Sequence, residues 1–129
     1  DNWEEGLLHT FTGLRTFAYD RFASNFIASS VSSNGIKCRR YPQNFTGMNE
    51  PCKKTVEWLE HKLLKHGDNP VLRWMISHCQ SEEHPTGMIR PSRKSSSDKI
   101  DGIVAMLTAI GGYLYNDSDI ITELPLKSE

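Results

Sequence analysis

Residues 16–41 read TFAYDRFASNFIASSVSSNGIKCRRY, and in that order they spell strand, helix, strand. Thr16 to Tyr19 is a short β-prone run that stops at Asp20-Arg21. Residues 22–30 then read as a helix and Asn34-Gly35 as a turn. Residues 36–41 alternate in polarity, as a strand does, until Pro42 ends them. Strand, helix, strand implies a parallel pair joined by a right-handed crossover, and so an α/β fold. Asp20 then sits at the carboxyl end of a parallel strand, where such sheets place their ligand sites. It also opens a helix, where an aspartate caps backbone N–H groups.

On the amino side, residues 3–14 read as an amphipathic helix with Trp3, Leu7, Leu8 and Phe11 on one side. On the carboxyl side, residues 43–50 read as loop, with Gly47 and Pro51 as breakers. Residues 52–66 are an expected helix with Val56, Leu59, Leu63 and Leu64 on its apolar side, ended by Gly67-Asp68-Asn69-Pro70. A short helix over residues 71–76 is expected to pack on the core. Residues 78–82 and 88–90 flank His84-Pro85-Thr86-Gly87 and read as a hairpin. A polar, basic loop covers residues 91–97, a helix covers residues 98–113, and residues 115–129 read as a loose tail.

That last helix contains KIDGIVAML, residues 99–107. Ile100, Ile103, Val104, Leu107 and Ile110 fall on one helical face. Asp101 lies beside that face in the first turn, and Gly102 next to it leaves room for another part of the chain. A half-buried carboxylate at a helix start is costly unless it caps, pairs or binds a cation. Ser95, Ser96 and Ser97 are all candidate N-caps, and the helix dipole also favours an acid here.

The chain has 129 residues, enough for one domain, with 37% hydrophobic and 24% charged residues. No apolar run approaches the roughly 20 residues of a membrane span, and no partner membrane is expected. The acidic start, Asp1-Asn2-Trp3-Glu4-Glu5, is unlike a signal peptide, and without Met the chain is expected to be a fragment or a processed form. Cys38, Cys52 and Cys79 are odd in number and have no C-x-x-C spacing, so free thiols are expected. His78 beside Cys79 lacks the further ligands that zinc needs. Net charge is −1, which excludes a broadly basic nucleic-acid binder. The charge is uneven: Lys37, Arg39 and Arg40 form one basic cluster, and Arg90, Arg93, Lys94 and Lys99 another. Each reads as solvated surface or as phosphate contact. No G-x-x-x-x-G-K-[ST] loop is present, so this stretch holds no ATPase motor.

The segments AYDRF (18–22), GDNPVLRWM (67–75), GMIRPSRK (87–94) and KIDGIVAMLTAIGG (99–112) resemble, in that order, the C-terminal nuclease region of the large terminase subunit of tailed bacteriophages. The resemblance implies a ribonuclease H-like α/β fold, a mixed sheet flanked by helices. It implies cleavage of concatemeric double-stranded DNA during genome packaging by carboxylates that hold Mg²⁺ or Mn²⁺. Asp20 and Asp101 match two of those acids, as metal ligands and catalytic residues. Arg39, Arg40, Arg93, Lys94 and Lys99 are the candidate contacts to the DNA backbone. The phage portal and the small terminase subunit are the implied partners, and the cytoplasm of the bacterial host the implied location. A further aspartate, on an early strand, belongs to the family's pattern, and residues 1–19 offer no acid in such a setting. The expectation is therefore a partial nuclease domain over residues 1–129, without its first strands. The competing expectation is a truncated, non-catalytic remnant that binds DNA, the portal or a second copy of itself through an open sheet edge.

Overall fold

The computed structural model describes residues 16–20, 31–96 and 99–115, together with residues 14 and 29. Strand β1 (Thr16–Tyr19) pairs in parallel with β2 (Lys37–Arg40), with Thr16 opposite Lys37 and Tyr19 opposite Arg40. The parallel pair expected from residues 16–41 is present. The helix expected between the strands lies outside the described residues except at Ser29, and helical backbone continues over residues 31–33. The expected helix over residues 3–14 and the tail after residue 115 also lie outside them.

Tyr41, one residue beyond β2, joins three elements. Its N–H donates to the Tyr19 carbonyl at 2.8 Å, extending the parallel pair. Its ring, 1% exposed, packs on helix α3 (Asp101–Leu114) at Gly111, where a Cβ atom would collide with the ring. Its hydroxyl donates to the Gly47 carbonyl at 2.5 Å in helix α1 (Phe45–Glu60). Pro51 has no N–H with which to reach that carbonyl four residues back. The Tyr41 hydroxyl supplies the missing donor.

This anchoring overturns the reading of residues 43–50 as loop. Helix α1 starts at Phe45 and runs through Pro51, and the Asn44 side chain caps it by accepting the Gly47 N–H at 3.0 Å. Gly47 is used for close approach, since a Cβ there would collide with the Pro42 carbonyl oxygen. The buried face of α1 is Phe45, Met48, Pro51 and Thr55. On the helix, the side expected to be buried points outward: Val56 is 53% exposed and Leu59 42%, while Leu64, beyond the helix end, is half-buried. Anchoring of its first half by Tyr41 sets which face of α1 meets the core. The helix ends at Glu60, well before His66, and Lys62 follows with φ 57°, outside helical conformation.

Helix α3 behaves as its periodicity predicts. Ile100, Ile103, Val104, Leu107 and Ile110 are all buried, and four of them join Tyr41 and Met48 in the central cluster. Helix α2 (Pro70–His78) is capped by the Asn69 side chain, which accepts the N–H groups of Val71 and Leu72 at 2.9 and 3.1 Å. Only Leu72 and Met75 of α2 reach the core, and Gly102 of α3 admits the Met75 sulfur. The expected hairpin is formed by antiparallel β3 (Gln80–Glu83) and β4 (Ile89–Ser92). It is tied to α1 by the Ile89 N–H, which donates to Asn49 Oδ1 at 3.1 Å. Among the described residues the strands form two separate two-stranded sheets, not one mixed sheet.

None of the three cysteines is joined in a disulfide. Burial, and secondarily the neighbouring Cys79, push the Cys52 thiol from 9.0 up to about 11. An unfolded Cys52 ionises near its ordinary value, whereas the folded one does not. Stability is therefore expected to fall as pH rises from about 9 toward about 11, and the Cys52→Ala variant should lose less over that window. Urea melts of both proteins at pH 7.5, 9 and 10.5 measure this. Equal pH dependence in the two would assign the effect elsewhere.

Candidate metal and nucleic-acid site

The hairpin register places Glu82 opposite Arg90. Arg90 Nε donates to Glu82 Oε1 at 2.7 Å, and Arg90 Nη2 lies 2.6 Å from the same oxygen in an ion pair. This bond holds the Glu82 carboxyl below its usual range. The Arg90 guanidinium also lies over the Phe45 ring, 4.2 Å from its centroid. Arg90 is thus fixed between the hairpin and the start of α1.

After β4 the chain turns over residues 93–96. The turn is built on Ser92, whose hydroxyl accepts the Ser95 N–H and whose carbonyl accepts the Ser96 N–H, each at 3.0 Å. Ser96 Oγ in turn accepts the Gln80 N–H at 3.1 Å, pinning the turn to β3. Ser95 and Ser96 therefore organise this turn and do not cap α3; the N-cap is Ile100, with no side-chain bond. Ser97 lies outside the described residues.

The turn projects Arg93 toward Asp101, and Arg93 Nη1 donates to Asp101 Oδ1 at 2.6 Å. The bond from Arg93, and then its charge, hold the Asp101 carboxyl below the usual aspartate range, with Lys99 contributing less. Asp101 is not half-buried as expected: its side chain is 66% exposed. Pairing, with the favourable dipole of the helix start, is how this structure accommodates the charge.

Between the turn, the hairpin, the start of α1 and the first turn of α3 lies an open groove of about 550 Å³. Gln43, Asn44, Met48, Glu82, Arg90, Pro91, Arg93, Lys94 and Val104 line it. Arg93 and Lys94 were legible as a basic cluster. Gln43, Asn44 and Glu82 were not singled out. Glu82 had a signal, since the turn residues 84–87 set the register that faces it to Arg90.

Lys99, of the same basic cluster, is exposed just before α3. Arg40 is exposed on β2, but Arg39 is half-buried, with its Nε enclosed and lacking a hydrogen-bond partner among the described residues. Neither arginine lines the groove, so the two basic clusters occupy different elements. Asp20 is half-buried at the end of β1. Ala18 packs near Gly112, Tyr41 near Gly111, and Gln43 Nε2 donates to Thr108 Oγ1 at 2.9 Å. The chain leaving β2 thus advances along α3 toward its amino end, where Asp101 lies, and β1, with Asp20 after it, runs parallel. Among the described residues no three His, Cys, Asp or Glu side chains gather closely enough to hold a metal ion. His78 Nδ1 lies 2.7 Å from the Trp74 carbonyl oxygen of its own helix. No helix among the described residues is long and apolar enough to cross a membrane.

Residues 7–117 match the family described as terminase large subunit, endonuclease domain. Over 107 residues the chain is 25% identical to protein YmfN of Escherichia coli K12, covering 81% of this chain and 24% of that protein. Its fold resembles the crystal structure of the HK97 bacteriophage large terminase, with a TM-score of 0.73 at 20% identity, covering 84% of this chain and 23% of that one. The chain spans about a quarter of the length of both.

Proposed function

Because the chain belongs to the family of terminase large-subunit endonuclease domains, we propose that it cuts double-stranded DNA during phage genome packaging, with Asp20 and Asp101 as metal-binding catalytic carboxylates on a ribonuclease H-like fold. The observation that carries this reading is the juxtaposition of Asp101 with a groove edged by Arg90, Arg93 and Lys94. An acid that can hold a cation adjoins the cations that can hold a phosphate. Carboxylate oxygens are the donors that Mg²⁺ and Mn²⁺ take, and Asp101 is exposed enough to accept a hydrated ion. The chemistry supplied there by bound metal is activation of water and stabilisation of the leaving oxygen. The protein's own part is positioning: Arg93, Lys94 and Lys99 seat the phosphate backbone beside Asp101, and the exposed Arg40 extends the binding surface from β2, whereas Arg39 is half-buried. In this reading the domain works in the cytoplasm of the bacterial host, alongside the portal and the small terminase subunit.

Manganese soaked into crystals tests the site. An anomalous peak is expected between Asp20 and Asp101, with the two carboxylates within about 8 Å of each other, close enough to share hydrated ions. Carboxylates on opposite faces of the domain, or manganese bound elsewhere, would overturn the assignment.

The groove has its own test. Arg93→Ala with Lys94→Ala is expected to weaken duplex binding alike for unrelated sequences, because phosphate contacts carry no sequence information. The slope of log affinity against log salt should become shallower by about one for each phosphate that is no longer neutralised. Fluorescence anisotropy at four salt concentrations measures both. An unchanged slope would remove this turn from the DNA interface.

A further inference from the structure

We propose that Arg93 is a positioning residue that occupies Asp101 in the free protein and yields it to the metal when a DNA phosphate draws the guanidinium away. The inference rests on the assignment of Asp101 as a metal ligand. Its own observation is a collision of roles in one ion pair: the same Arg93 that edges the groove donates to Asp101 Oδ1 at 2.6 Å. A guanidinium and a metal ion cannot both take that oxygen in the same direction. A phosphate offers Arg93 the same kind of partner, a pair of anionic oxygens that its fork can grip twice. The exchange therefore replaces one charge-assisted bond with another.

The surroundings allow this exchange. Both side chains are largely exposed, Arg93 at 60% and Asp101 at 66%, so neither is locked by packing. The backbone carrying Arg93 is held by the bonds of Ser95 and Ser96 to Ser92 and of Gln80 to Ser96. Only the side chain has to swing. Arg90 does not serve in the same way, because Glu82 and the Phe45 ring hold it. Lys94, next in the chain and also on the groove, has the same charge but no ion pair with Asp101 to break. It is the natural control.

Mn²⁺ binding to the 129-residue chain, read by electron paramagnetic resonance without DNA, tests the proposal. Arg93→Gln is expected to tighten Mn²⁺ binding roughly two- to fivefold, the range an exposed ion pair allows. Lys94→Gln should tighten it by clearly less. Adding Asp101→Asn should abolish the gain of Arg93→Gln. A second arm uses a short DNA duplex in EDTA. There Asp101→Asn should tighten duplex binding in the unmodified chain by more than it does alongside Arg93→Gln, because it frees Arg93 only in the former. Equal gains from Arg93→Gln and Lys94→Gln, or equal effects of Asp101→Asn in both backgrounds, would overturn the proposal while leaving the metal site standing. Mn²⁺ binding that ignores Asp101→Asn altogether would overturn the metal assignment itself. All of these positions are exposed, and an unchanged melting temperature for each variant confirms that binding is compared between folded proteins.

Discussion

Plasmid DNA incubated with Mn²⁺ and the protein is expected to survive when Asp101 is replaced by Asn. The substitution keeps the shape of the side chain and removes the charge that a divalent ion needs. A metal-held transition state for phosphodiester cleavage draws several kcal/mol from the ion, and each 1.36 kcal/mol is a factor of ten in rate. The expected loss is therefore at least about 10²- to 10³-fold. Asp20→Asn should have an effect of similar size, and the double variant should be little worse than either alone, because groups that act as a unit do not add. The measurement is conversion of supercoiled plasmid to nicked and linear forms over time. Full cutting by Asp101→Asn would remove Asp101 from the reaction, however well it sits beside the groove.

The largest effect on stability is expected at Tyr41. Its ring is 1% exposed, packs against Gly111 and stacks on Tyr115 with centroids 6.4 Å apart. Tyr41→Ala opens a cavity where α1, α3 and the end of β2 meet, and a loss of about 3–5 kcal/mol follows from comparable aromatic truncations. That is a large share of the roughly 5–15 kcal/mol that holds a typical domain folded. Tyr41→Phe isolates the hydroxyl. It keeps the packing but leaves the Gly47 carbonyl with no donor, since Pro51 cannot supply one. A buried acceptor left unpaired costs about 1–3 kcal/mol. Adding Pro51→Ala to Tyr41→Phe should recover part of that loss by restoring the backbone N–H. Gly111→Ala tests the other side of this junction, since its Cβ would meet the Tyr41 ring and force it aside. Urea melts of these variants give the energies. A Tyr41→Phe loss that Pro51→Ala does not reduce would show that the hydroxyl does not stand in for the missing N–H.

The elements legible in the chain were those specified by their own residues. The apolar spacing from Ile100 to Ile110 is a property of one helix, and it buries as written. Thr16–Tyr19 carries β-prone residues and residues 36–41 alternate in polarity, and the two strands pair in parallel. The turn residues 84–87 define their own hairpin. The acids and bases of the candidate site were legible as types and as family motifs: Asp101 in a helix start, Arg93 and Lys94 in a basic turn.

What the chain does not display is how separate pieces meet. Gly47 and Pro51 are helix breakers by local rules, and residues 43–50 accordingly read as loop. Residues 45–50 are nonetheless helical, and a hydroxyl from Tyr41, outside the helix, supplies the donor that Pro51 lacks. That same anchoring turns Val56 and Leu59 outward, against the face suggested by periodicity. Asp101 is a candidate metal ligand by family resemblance and Arg93 a candidate phosphate contact, each read independently of the other. Only the turn built on Ser92 brings them to 2.6 Å and makes each the other's partner. Local propensity depends on a few neighbouring residues and can be read along the chain. An ion pair or a borrowed hydrogen-bond donor depends on where two elements are held by a core that neither specifies alone, so the tertiary structure decides it.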